Sequence, residues 1–264
     1  MKPLCDGGGI RHRRGLDASA PAQAADVVSS NIVGYEKVTL KSGFNIVGMQ
    51  FVKVGGGDQS LSDAGQLGST LLGFDEDGNY RQILKTWDGS EYKTFGWSGT
   101  SASEYMEDAS LDNKWLNEDY EETNDSFSKS DAAWVITDGA GTITLSGEVP
   151  TGDVVTTLAS GFNLVCNPFP ASIPVADFGT LSASLEGFDE DGNYRQILKT
   201  WDGSKYITFG WSGSSGTEYL EDPTLDNKWL NEDYEITDDV LGFGEGAWLI
   251  VDGAGMITFT NPAE

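Results

Sequence analysis

FDEDGNYRQILKTWDGS, residues 74–90, recurs letter for letter at residues 188–204, and this repetition governs how the whole chain is read. The same offset of 114 carries LDNKWLNEDYE at 111–121 onto 225–235. It also carries Ala133-Trp134-Val135-Ile136 and Asp138-Gly139-Ala140-Gly141 onto Ala247-Trp248-Leu249-Ile250 and Asp252-Gly253-Ala254-Gly255. Upstream, Gly43-Phe44-Asn45-Ile46-Val47 matches Gly161-Phe162-Asn163-Leu164-Val165 at offset 118, so a four-residue indel lies between Phe51 and Phe74. The eight tryptophans fall at matched places: Trp87, Trp97, Trp115 and Trp134 against Trp201, Trp211, Trp229 and Trp248. The chain is therefore two tandem modules, 27–148 and 149–264, behind a leader of different composition at 1–26.

Each copy reads as mainly antiparallel β. Val38-Thr39-Leu40, Phe44–Val54, Gln82–Trp87, Glu91–Phe95, Trp134–Thr137 and Thr142–Leu145 are short runs rich in β-branched and aromatic residues, punctuated by Gly, Asp and Asn. Trp87-Asp88-Gly89-Ser90 has the Asp-Gly chemistry of a two-residue type I′ hairpin, and Asp138-Gly139-Ala140-Gly141 is expected to close a second hairpin. Leu111 and Trp115, with Leu116, share one face of a helical turn. The expectation is all-β: two duplicated small β-sandwiches or partly open barrels with short helical turns.

Composition excludes several classes of function. From Val27 onward, 39 acids face 12 bases, a net charge of −27. Such a field repels phosphate backbones and anionic lipid, so nucleic-acid binding is not expected. No apolar run approaches the ~20 residues of a membrane-spanning helix, so neither is membrane insertion. Cys5 and His12 lie in the leader, which leaves Cys166 alone in the body and removes both a disulfide framework and a Cys/His zinc set. The leader ends in Ala22-Gln23-Ala24-Ala25, in the manner of a signal-peptidase site, but has no apolar h-region. It reads either as a disordered tail or as a degenerate signal-like segment before an exported chain.

Gly161-Phe162-Asn163-Leu164-Val165-Cys166-Asn167-Pro168-Phe169-Pro170, then Thr200-Trp201-Asp202-Gly203-Ser204-Lys205-Tyr206, then Gly244-Glu245-Gly246-Ala247-Trp248-Leu249 form a recognisable series. It resembles the "GWNLVGNPFP … WDGSKY … GEGFWV" β-repeat of secreted bacterial surface proteins. The first copy departs from that pattern, with Gly48-Met49-Gln50-Phe51 at the Asn-Pro-Phe step and Lys129-Ser130-Asp131-Ala132 at the Gly-Glu-Gly approach. The resemblance spans both modules. It implies an extracellular or cell-surface β-module and assigns no catalytic residue.

Three constellations carry possible chemistry. Asp75, Asp77 and Asn79, mirrored by Asp189, Asp191 and Asn193, gather hard oxygen ligands suited to calcium, or else form an Asp-Gly-Asn turn. Glu104, Glu107, Asp108, Asp112, Glu118 and Asp119, mirrored by Glu218, Glu221, Asp222, Asp226, Glu232 and Asp233, contain enough acids for a glycosidase carboxylate pair. Trp97 and Trp211 sit between glycines and are expected to stand exposed as platforms for a sugar face, together with Trp87 and Trp201 on their hairpins. Trp134 and Trp248, inside apolar strands, are expected in the core. The leading functional reading is a non-catalytic surface or matrix protein whose partner is a polysaccharide or another copy of itself. The alternatives are a carbohydrate-active enzyme using paired carboxylates and a calcium-dependent filament subunit.

Overall fold

The computed structural model describes residues 33–262, and the leader expectations, with Cys5 and His12, lie outside them. The first copy contributes ten strands: β1 (Val33–Leu40), β2 (Gly43–Met49), β3 (Gln59–Ser60), β4 (Gln66–Leu67), β5 (Ile83–Trp87), β6 (Tyr92–Trp97), β7 (Trp115–Leu116), β8 (Ser126–Phe127), β9 (Asp131–Thr137) and β10 (Gly141–Glu148). The second repeats them in the same order: β11 (Val154–Leu158), β12 (Gly161–Cys166), β13 (Ile173–Pro174), β14 (Thr180–Leu181), β15 (Ile197–Trp201), β16 (Tyr206–Trp211), β17 (Trp229–Leu230), β18 (Val240–Leu241), β19 (Gly246–Val251) and β20 (Gly255–Phe259). No helix among the described residues is long and apolar enough to cross a membrane.

Each copy is a sandwich of antiparallel sheets. In the first, a sheet in the order β1-β10-β4 packs on one in the order β2-β9-β5-β6-β7, and β3 pairs separately with β8. The two layers are cut from one ribbon. Leu40 pairs with Gly141 in the small sheet and Gly43 with Thr137 in the large one, so both strands of the ribbon bend together at residues 41–42 and 138–140. Asp138-Gly139-Ala140-Gly141 is accordingly a sandwich corner rather than the expected hairpin.

The repeated Arg-Gln of the identical stretch holds that corner. Gln82, fully buried, donates from Nε2 to Asp138 Oδ1 at 2.8 Å and accepts from the Asp138 amide at 3.1 Å. Arg81 Nε donates to Asp138 Oδ2 at 2.6 Å, and Arg195, Gln196 and Asp252 repeat the arrangement.

Two further local expectations are corrected. The Asp88 turn is a four-residue loop between Trp87 and Tyr92, with positive φ at Gly89 alone, so it is not type I′. Asp88 Oδ1 itself draws the loop in, accepting from the amides of Ser90 and Glu91 at 2.9 Å each. Trp115 and Leu116 form a strand against Gly96 and Trp97, and the helical turns precede them at Ala102–Tyr105 (α1) and, as a 3-10 turn, at Ala109–Leu111.

Each sandwich has its own core. Val47, Leu84, Phe95, Trp97, Trp115 and Ile143 are among the buried residues of the first, with Val165, Leu198, Phe209, Trp211, Trp229 and Ile257 in the second. A third buried cluster lies between the copies: Ile46, Ala132 and Trp134 from one, Leu164, Cys166 and Trp248 from the other.

Candidate binding clefts at the seam between the copies

The two large sheets meet edge to edge through reciprocal contacts. Val165 bridges Asp131 while Val47 bridges Glu245, and the Cys166 amide donates to Ser130 O at 2.8 Å while the Gly48 amide donates to Gly244 O at 2.9 Å. Trp87 Nε1 donates to Phe162 O at 2.9 Å and Trp201 Nε1 to Phe44 O at 3.0 Å. Each of these contacts has a partner in which the copies exchange roles, the pattern of a two-fold interface built within one chain. The alternating pleat makes it possible, since β2 and β9 send Val47, Ala133 and Val135 into their own sandwich and Ile46, Ala132 and Trp134 toward the other copy.

Two reciprocal lines of aromatic rings cross the seam. Phe44 meets Trp134 at 5.7 Å between centroids, Trp134 meets Trp201 at 5.9 Å, and Trp201 meets Tyr206 at 5.0 Å, all edge to face. Phe162, Trp248, Trp87 and Tyr92 repeat it at 5.7, 5.9 and 5.1 Å. The inner rings are buried or half-buried, and the outer ends stay open: Phe44 is 54% exposed and Phe162 50%.

A cleft opens beside each line. The first, of about 210 Å³, lies between Phe44 and Lys41 of one copy and Trp201, Asp202, Ile207 and Asp239 of the other. The second, of about 180 Å³, is walled by Trp87, Asp88, Lys93, Asp125 and Leu164. They differ chemically: Lys93 pairs with Asp125 at 3.1 Å in the second, whereas Ile207 takes the lysine's place in the first. Lys41 Nζ reaches across the first seam to Asp202 O at 2.7 Å. Asp202 Oδ1 accepts from the Ser204 and Lys205 amides, which together with the Ser204 hydroxyl holds its carboxyl down to about 2 and keeps it an ionised acceptor at the cleft.

Trp97 and Trp211 depart from the expectation of exposure. Both are 1% exposed, packed on Trp115 and Trp229 at 5.2 and 5.1 Å, and offer no face to a sugar. Their flanking glycines mark close approach: a Cβ on Gly96 would lie 1.9 Å from the Tyr80 ring, and Gly99, at φ +60, lies against the Gly73 backbone. Trp87 and Trp201 are half-buried and spend their N–H groups on the seam, each lining a cleft. Trp134 and Trp248 are buried, in the seam cluster rather than in either sandwich.

Asp75, Asp77 and Asn79 are a turn. Asp75 Oδ1 accepts the amides of Asp77 at 3.0 Å and Asn79 at 2.8 Å, and the Asn79 side chain donates back to the same carboxylate. These bonds hold the Asp75 carboxyl below the usual range and turn its oxygens inward, and the Asp189 carboxyl is held low by Asn193 and the Asp191 amide in the same way. Among the described residues no group of three or more His, Cys, Asp or Glu is placed to hold a metal ion. The flanking Phe74 and Tyr80 stack at 5.2 Å, and Tyr120, at φ +63, lies over Tyr80 at 5.1 Å.

The acidic loops also have structural work. Asp108 and Asp222 cap 3-10 turns by accepting from Ser110 and Thr224, bonds that hold both carboxyls low. A general acid needs the opposite shift. Among the described residues burial raises two carboxyls, Glu36 and Asp131, and both belong to the seam region rather than to those loops.

No protein-family model, curated protein or solved structure matches this chain.

Proposed function

We propose that this chain is a non-catalytic carbohydrate-binding protein of the cell surface or extracellular matrix, and that glycan lies along the seam clefts. The observation that carries the reading is the pair of reciprocal aromatic lines, one ending in open Phe44 and Tyr206 and the other in Phe162 and Tyr92. Aromatic rings with one open face beside ionised acceptors suit the apolar faces and hydroxyl edges of sugars. Stacking on a neutral polymer is also indifferent to a net charge of −27. The resemblance to secreted surface β-repeats supports the location. The test is retention on a panel of insoluble polysaccharides: the wild-type chain binds at least one, and a Phe44→Ala/Tyr206→Ala variant that melts like the wild type binds it markedly less. Equal retention by that variant would remove the reading.

A second reading, self-association, is favoured by β1, an eight-residue strand at the end of its sheet whose outward Tyr35 is 80% exposed.

A further inference from the structure

Glu36 Oε1 is the buried side-chain atom, among the described residues, left without a hydrogen-bond partner. Its residue is 6% exposed on the inward face of β1. The other oxygen, Oε2, accepts from Gln50 Nε2, and Gln50 Oε1 accepts from the Gly244 amide at 3.0 Å, so one short chain of bonds runs from a carboxyl of the first copy into the backbone of the second. Gly244 also receives the Gly48 amide, which makes it one of the points where the sheets are joined. A Cβ there would lie 2.3 Å from Val38 Cγ2 and 2.8 Å from Glu36 Oε1, so β1 and its carboxyl leave room on that loop for glycine alone.

The opposite joint is built differently. Val154 and Pro168 stand where Glu36 and Gln50 do, and the equivalent of Gly244 is Ser130, whose hydroxyl meets Thr156 Oγ1 at 2.5 Å. One end of a reciprocal seam is thus closed by two neutral hydroxyls and the other by a carboxyl with a vacant oxygen. Gln50 belongs to the step where the first copy leaves the repeat pattern, so this departure supplies the link.

We propose that Glu36 is a proton-operated latch on the seam: protonated, it holds the Gln50–Gly244 joint closed, and ionised, it loosens that joint while the Ser130–Thr156 joint stays shut. An ionised carboxylate with one unpartnered buried oxygen bears an uncompensated desolvation cost, which water entry at the joint would relieve. Leu145 of β10 stands opposite on the neighbouring strand and the β18–β19 loop offers the backbone of Gly244, so neither compensates a negative charge. From β12 comes the Cys166 thiol, pushed up by its own burial, then by Asp131 and by Glu36, and hence neutral. Asp131 on β9 is a second carboxyl that burial raises, with the Ser128 amide pulling it down and Asp58 adding to the rise. Burial pushes the Glu36 carboxyl up to about 7, with the Gln50 bond pulling the other way. A folded value above the ordinary 4.5 means that the contribution to stability is complete in acid, declines as pH rises from there through about 7, and is then lost.

The experiment is amide hydrogen exchange on the full chain between pH 5 and 9, corrected for intrinsic rates. Protection of the Gly48 and Gly244 amides is expected to fall with a midpoint close to neutral while the Cys166 amide, at the other joint, keeps its own. Glu36→Gln should abolish the step and hold protection at the acid level. Gln50→Met, which keeps the carboxyl but removes both its donor and the acceptor of the Gly244 amide, should leave Gly244 unprotected at every pH and move upward the midpoint read at the Gly48 amide. A flat wild-type profile, a step that survives Glu36→Gln, a midpoint unmoved by Gln50→Met, or equal loss at Cys166 would each overturn the latch.

Discussion

Replacing Trp97 by alanine empties one of the largest fully buried side-chain positions in the first sandwich. Truncating a buried aromatic to alanine costs about 3–5 kcal/mol, transfer and cavity terms together. Trp97 also stands 5.2 Å from Trp115 at 54°, a pairing worth about 0.5–1.5 kcal/mol beyond area alone. The upper half of the truncation range is therefore the expectation. Collapse cannot relieve the loss, because Gly96 is fixed beneath the Tyr80 ring and Gly99 against the Gly73 backbone. For a chain of this size each kcal/mol lowers Tm by about 2–4 °C, so the loss corresponds to roughly 8–20 °C. Trp211→Ala should behave alike, since Trp229 stands 5.1 Å away in the same surroundings. Guanidinium melts with unchanged slope, run beside Phe44→Ala as an exposed control, give the comparison. A loss below about 1 kcal/mol would refute the packing argument and restore an exposed platform.

Two other outcomes follow from the charges. The Asp202 carboxyl is held to about 2 by its turn, so the stability it contributes is present above the ordinary carboxylate value of 3.8 and is lost as pH falls toward about 2; Asp202→Asn should flatten the acid limb of a pH-dependent melt, and an unchanged limb would contradict the assignment. The net −27 of residues 27–264 repels itself, so Tm should rise as salt goes from about 10 to about 300 mM, and a flat response would show that the acids are already compensated within the fold.

The duplication, the strands and the all-β class were legible because identical letters and alternating β-branched residues report local structure directly. The seam was not, because it is a contact between copies and leaves only an indirect mark. That mark is Asp131-Ala132-Ala133-Trp134-Val135, which is apolar without alternation after its first residue, as a strand covered on both faces must be. The tryptophans mislead for a related reason. Glycine beside Trp97 looks like missing packing in a sequence, whereas at Gly96 and Gly73 it records another group pressed so close that no Cβ fits. The corner at Asp138–Gly141 has a hairpin's turn residues, and only the sheet to which each flanking strand belongs distinguishes the two. Acid-rich loops likewise offer carboxylates for a catalytic pair in the sequence, whereas Asp108 and Asp222 are seen capping turns in the fold.

The central claim, that glycan lies along the aromatic lines of the seam, is tested most directly by a crystal structure of the chain with an oligosaccharide of whichever polysaccharide retains it. Sugar rings are expected on Phe44 and Tyr206, or on Phe162 and Tyr92, with hydroxyls turned toward the adjoining cleft. A sugar bound elsewhere, such as on Tyr105 and Tyr120, with both seam clefts empty, would contradict the account.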